Sequence, residues 1–105
     1  MEIQSHLSED QTTLTLHLSG KFDYTCQESF QKAFEAVNPI PQRYVIDALE
    51  VHSIDSSALG MLLLLRNHAG GDEADVAIIN AQPDIHKLLQ TCKFDELFEV
   101  SAIGA

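Results

Sequence analysis

The tripeptide Asp55-Ser56-Ser57 stands directly before the mostly apolar run Ala58 to Leu65. An aspartate or serine at such a boundary is a good N-cap. Its side-chain oxygen accepts a hydrogen bond from a first-turn N–H that has no intrahelical partner. A hydroxyl exposed there has a second capacity. Free N–H groups and the macrodipole make a helix N-terminus electropositive, so it accommodates an added phosphate. A phosphate brings about −1.5 to −2 charges. On Ser56 it would leave the helix intact and change the charge and shape of the surface beside an apolar patch, with Asp55 adding repulsion toward an acidic partner group. On local physics alone the simpler account is that Asp55 caps the helix and the serines are small polar fillers of its first turn.

Other chemistries find less support. No Gly-x-Ser-x-Gly elbow surrounds Ser56, and no His and Asp are evidently arranged to activate it, so hydrolysis is a poor reading. His6, His17, His52, His68 and His86 lack a spacing suited to a shared metal. There is no glycine-rich phosphate loop, and no cofactor is expected. Cys26 and Cys92 fall on apolar helical faces and read as buried thiols. Asp47, at a strand end, reads as a structural hydrogen-bond acceptor.

The elements that must position these residues follow from periodicity. Thr13 to Ser19 alternates, with Leu14, Leu16 and Leu18 on one side, as a half-buried strand does. Glu2 to Leu7 is a weaker strand, turned into a hairpin by Ser8 to Gln11. Gly20 to Asp23 leads into a helix whose stripe is Cys26, Phe30, Ala33, Phe34 and Val37, stopped by Asn38, Pro39 and Pro41. Tyr44 to Ala48 is a short apolar strand suited to the centre of a sheet. Ser56 to His68 is helical, Asp75 to Ile79 a strand. Pro83 starts a helix striped by Ile85, Leu88, Leu89 and Cys92. Phe94 to Phe98 is a helical turn, and Val100 to Ile103 a last strand. The order β β α β α β α β predicts an α/β fold over residues 1–105, a single domain: a mixed central sheet of 4–5 strands flanked by 3–4 helices.

The helix at 56–68 is well bounded. Asp55 and Ser56 suit its start, Arg66 and His68 its last turn, and Gly70 or Gly71 its stop. Its middle is apolar nearly all round. Leu59, Leu62 and Leu63 make one stripe; Met61, Leu64 and Leu65 make much of another. Full burial of a helix is hard to arrange in 105 residues. Either neighbouring helices cover it, or the part near its N-terminus is exposed to a partner. Ala58, Leu59, Met61 and Leu62 are the candidate partner-binding residues.

Composition bounds the class. A formal net charge of −10 argues against a nucleic-acid backbone or an anionic membrane as partner; it suits a basic docking surface, but the acids are scattered rather than blocked, and an ordinary solvated acidic surface is the simpler reading. No segment reaches about 18 consecutive apolar residues, so no membrane span is expected. The first residues lack a secretory signal pattern, and a cytoplasmic protein follows by default. Oligomeric state is not read from the sequence.

The stretch RYVIDALEVHSIDSSALGMLLLLRNHAGG resembles the core motif of STAS domains, specifically the bacterial anti-sigma factor antagonists. Asp47, Asp55, Ser56, Ser57, Ala58, Leu59 and Gly60 match in order and spacing, with Ala58 where many members have glycine. Upstream, LSGKFDYTC is similar to the family's Gly-x-(Leu/Phe)-Asp segment through Gly20, Phe22 and Asp23. Downstream, VAIINAQPDIHKLLQTCKFDELFEV is similar to its strand, helix and ending. The chain stops at Ala105, so the C-terminal helix common in the family is expected to be short or missing.

The resemblance implies a STAS-like switch protein that is not an enzyme. Ser56 is then phosphorylated by a partner serine kinase of the GHKL ATPase type, itself an anti-sigma factor, and dephosphorylated by a metal-dependent PP2C-like phosphatase. The unphosphorylated form binds its partner and frees what that partner restrained. Asp23 would help position the Ser56 hydroxyl, and Ser57 would fix local geometry. The resemblance also allows a second role, as an accessory subunit of a transporter ATPase with no phosphorylation cycle. A third and weakest reading is a small nucleotide-binding domain, because a helix N-terminus can hold phosphate.

Overall fold

In β2 (Thr13–Phe22), Leu14, Leu16 and Leu18 are buried while Thr13, Thr15 and His17 are not. The same period of two governs β3 (Arg43–Ile54), where Tyr44, Ile46 and Ala48 are buried. A computed structural model describes residues 2–104. Parallel pairing aligns the apolar rows: Leu14 faces Tyr44, which faces Val76 of β4 (Val76–Ala81), and Leu16, Ile46 and Ile78 form the next row. With β1 (Glu2–Leu7) and β5 (Glu99–Ala102) the sheet runs β1-β2-β3-β4-β5, so β3 holds the centre, as expected.

The β1–β2 hairpin is antiparallel and the other pairings are parallel. Its turn is closed by Ser8 N–H to the Thr13 carbonyl and Gln11 N–H to the Ser8 carbonyl, both 2.9 Å. Each parallel step crosses through a helix: α1 (Gln27–Glu35), α2 (Ser56–His68) and α3 (Pro83–Thr91). The strands add in one direction, so right-handed crossovers put all three helices on the same face. Phe30 and Phe34 of α1, Ala58, Met61, Leu62 and Leu65 of α2, and Ile85 and Leu89 of α3 accordingly join one core with the buried strand rows. The opposite face is largely polar. There Arg43 bonds Asp75 at 2.6 Å and Glu99 at 3.0 Å, and His17 meets Asp47 at 2.9 Å.

Three expectations need correction. Gly20 to Phe22, expected as the lead into the first helix, are the end of β2, so only Asp23 separates strand from helical turn, and β3 runs on to Ile54 rather than stopping at Ala48. Register shifts between His17 and Ser19 and between Gly20 and Lys21, with Gly20 at φ +96°, let the two strands stay paired beyond the point where simple alternation fails. Cys92 is exposed, unlike Cys26. Helix α3 ends at Thr91 and Lys93 turns left-handed at φ +62°, so the stripe does not carry Cys92 to the core.

Candidate functional site

Strands β2 and β3 end together: Phe22 pairs with Ile54, and the Asp55 N–H donates to the Phe22 carbonyl at 3.3 Å. Asp23 and Asp55 therefore leave neighbouring strand tips side by side. Each carboxylate starts a helical segment. Asp55, extended at φ −111° and ψ 179°, accepts from the Ala58 N–H at 2.9 Å. Asp23 caps the 3₁₀ turn Tyr24–Cys26, accepting from the Thr25 N–H at 3.0 Å and from the Thr25 hydroxyl. The Thr25 hydroxyl and then the Thr25 N–H hold the Asp23 carboxyl below the ordinary range.

Ser56 and Ser57 open α2 as its first helical residues, and both are exposed. The reachable hydroxyl is thus where the sequence places it, on the electropositive tip of a helix. Asp23 is a neighbour through strand pairing, but its carboxylate accepts from Thr25 and, at 3.9 Å, from the Cys26 thiol; among the described residues no hydrogen bond joins it to Ser56. Local capping has first claim on that carboxylate.

The faces of α2 differ from expectation. Ala58 (0% exposed), Met61 (3%) and Leu62 (2%) point into the core with Leu65 and cannot form an accessible partner surface. Leu59 is half-buried. The exposed residues are Ser56, Ser57, Gly60, Leu63, Leu64 and Asn67. The exposed apolar side chains lie toward the middle of the helix, because the sheet takes one apolar arc and leaves the other outside. Beyond His68, the Ala69 cap and left-handed Gly70 (φ +125°) end the helix, and Arg66 bonds Asp72 at 3.0 Å.

Asp47 lies away from this rim. Its carboxylate accepts from the Leu49 N–H at 3.1 Å and the Asn80 side chain at 3.1 Å, and pairs with His17. Burial would raise its carboxyl, but the bonds from Asn80, Leu49 and His17 together hold it below the ordinary range. This is the structural acceptor expected from the sequence. The His17–Asp47–Asn80 chain went unread there, although a histidine on the polar side of a strand and an aspartate inside an apolar one were its signal. Among the described residues no cluster of three or more His, Cys, Asp or Glu could hold a metal ion. No helix there is long and apolar enough to cross a membrane.

A mixed sheet with helices on one face, and a capped helix presenting serines at the rim, define an α/β domain of the SpoIIAA-like kind. The profile of the family described as "Mlab, STAS domain" matches residues 5–99, and the chain belongs to the STAS domain family. It is 43% identical over 101 residues to a STAS-domain containing protein of Pseudomonas aeruginosa (strain UCBPP-PA14), covering 96% of this chain and 100% of that one. Solved structures agree in fold. An anti-sigma factor antagonist from Mycobacterium paratuberculosis superposes with a TM-score of 0.77 at 20% identity, covering 95% of this chain and 86% of the other. The Bacillus cell fate determinant SpoIIAA, in its phosphorylated form, gives 0.67 at 14% identity, covering 94% and 90%.

Proposed function

We propose that this chain, as one STAS domain spanning residues 1–105, is a phosphorylation-controlled interaction switch of the anti-sigma factor antagonist type, without catalytic activity of its own. The observation that carries the reading is the exposed Ser56 hydroxyl at the N-terminus of α2, beside the cap Asp55. The fold shared with SpoIIAA, solved in a phosphorylated form, supports it.

The partner kinase, of GHKL type and itself an anti-sigma factor, supplies ATP, metal and base. The Ser56 oxygen attacks the γ-phosphorus; the new O–P bond forms, the bond to ADP breaks, and the hydroxyl proton passes to the kinase. A PP2C-like phosphatase reverses the state by delivering water to the phosphorus, which releases phosphate and restores the hydroxyl.

The chain's own part is presentation and charge. Asp55 caps the first turn, in which Ser56 is exposed. The added phosphate, about −1.5 to −2 charges, gathers with Asp23 and Asp55 into an anionic rim, and a partner surface that fits the hydroxyl loses its fit. Incubation with the kinase and ATP should add one phosphate by intact mass, and Ser56→Ala should abolish it. Ser56→Asp should weaken partner binding. Phosphate persisting on the Ala variant, or an unchanged Kd for Ser56→Asp, would refute the switch. A stable complex with a transporter ATPase, indifferent to ATP and to Ser56→Ala, would establish the accessory-subunit role instead.

A further inference from the structure

The two edges of the sheet are built differently. Strand β5 is four residues long, its pairing with β4 shifts register between Ile78 and Ala81, and its Glu99 is bonded by Arg43. Short length, irregular pairing and charge all discourage a further strand. Strand β1 has none of these devices. It runs six residues in unbroken register with β2 and contains no proline and no lysine. Glu2 is its one acid, in a chain that carries 16.

The direction of its backbone groups follows from the hairpin. The Ser8 N–H donates to the carbonyl of Thr13, the residue opposite, at 2.9 Å, so that pair is hydrogen-bonded. Bonded and non-bonded pairs alternate along an antiparallel ladder. His6, Gln4 and Glu2 therefore turn their N–H and C=O groups to β2, while those of Leu7, Ser5 and Ile3 face the open edge. The other side of β2 agrees. The Thr12 carbonyl accepts from the Arg43 N–H at 3.0 Å, which leaves Thr13, and with it Thr15, His17 and Ser19, to face β1. Among the described residues no element pairs with that outer row.

We propose that β1 is the interface between two copies of this chain, paired antiparallel about a two-fold axis through Ser5. That register uses the whole edge. Ile3 lies opposite the second copy's Leu7 and Ser5 opposite its own counterpart, so every outward residue exchanges both of its hydrogen bonds. A shift of two residues leaves one of the three without a partner in the strand. The side chains fit the same register. Ile3 and Leu7 pack half-buried against the core, and each covers the other's exposed part across the axis. Small serines meet at the centre, and Gln4 stands opposite His6 on the polar face. Charge also selects this strip. With a net charge of −10 the chain repels its copy over most of its surface, but the middle of β1 carries no acid. The acids that come near, Glu2 and the turn residues Glu9 and Asp10, sit at the two ends of the strand pair, where salt screens them. Pairing closes the open edge of both copies, and the blunted β5 edges stop the assembly at a dimer.

The test uses the intact chain over a range of concentrations. Sedimentation equilibrium should show monomer passing to dimer and nothing larger, and the dimer should tighten as salt rises from about 0.05 to 0.5 M. Amide exchange followed by NMR should find the N–H groups of Ile3, Ser5 and Leu7 fast at dilution and protected in the dimer, with Gln4 and His6 protected in both. Ser5→Pro removes an outward N–H and leaves the β1–β2 ladder whole, so it should weaken the dimer about tenfold or more while the monomer stays folded. Ser5→Lys sets two ammonium groups against each other at the axis and reads the same edge should the proline variant fail to fold. A wild-type chain that stays monomeric up to about 1 mM leaves the edge to a strand of some other protein and overturns the proposal. A dimer that salt weakens, that the folded variants leave intact, or that leaves Ile3, Ser5 and Leu7 unprotected overturns it equally.

Discussion

Replacing Asp55 by alanine removes the carboxylate that accepts from the Ala58 N–H at 2.9 Å. The backbone at Asp55 is extended, so alanine adopts it without strain, and the loss is confined to the hydrogen bond and the charge. Removing an N-cap costs about 0.5–2 kcal/mol. Asp55 is half-buried and its own N–H is tied to Phe22, so water reaches the freed Ala58 N–H only in part. The upper half of the range, about 1–2 kcal/mol, is therefore expected. In a domain of this size that is a fall in Tm of roughly 4–10 °C. Asparagine keeps the accepting oxygen and gives up the charge, whose interaction with the helix macrodipole is worth about 0.3–1 kcal/mol. The expected order is Asp, then Asn, then Ala. Thermal unfolding followed by circular dichroism gives the order, and urea unfolding with a shared m-value gives the free energies. Equal losses for Asn and Ala would mean that charge, not the cap, stabilises the helix start. An unaffected Ala variant would refute the capping argument outright.

The two arcs of α2 should separate under the same urea assay. Leu65→Ala, at a site 0% exposed, should cost about 2–5 kcal/mol, whereas Leu64→Ala, 48% exposed, should stay within about 0.5 kcal/mol; similar losses would contradict the assigned faces. Acid should weaken the fold partly through Asp47. Its carboxyl titrates below its unfolded value of about 3.9, so the stability it lends is complete above that pH and is lost as pH falls through the folded value. Asp47→Asn should lower the urea midpoint at neutral pH and show a smaller further drop between about pH 5 and pH 3; parallel drops in both chains would count against it.

Helix α2 was legible to the residue at both ends, because caps are local: Asp55 starts it and His68 precedes the Ala69–Gly70 stop. The succession of strands and helices along the chain was legible for a similar reason, since each element announces its own period. The length of β3 was not. Its last six residues, from Leu49 on, break the alternation, and their pairing with Gly20 and Phe22 depends on two register shifts that no local pattern encodes. The exposed face of α2 was misread because leucines at 59, 62, 63, 64 and 65 leave little contrast between its sides. Only the packing of sheet and α1 decides which of them turn outward. Asp23 was assigned to Ser56, although an aspartate two residues before a threonine is itself a capping pattern, and that is how the structure uses it.

The rim that carries Asp23 and Asp55 is set by the hydrogen bonding of two parallel strands, not by the course of the segments between them. The connections at 36–42 and 69–75 lie at the far end of the molecule, where β3 and β4 begin. Chain added there has a strand's length between it and the serines. Such a scaffold can lengthen or rewrite its rear loops, or be joined to another domain through them, while the front presents the same hydroxyl in the same place.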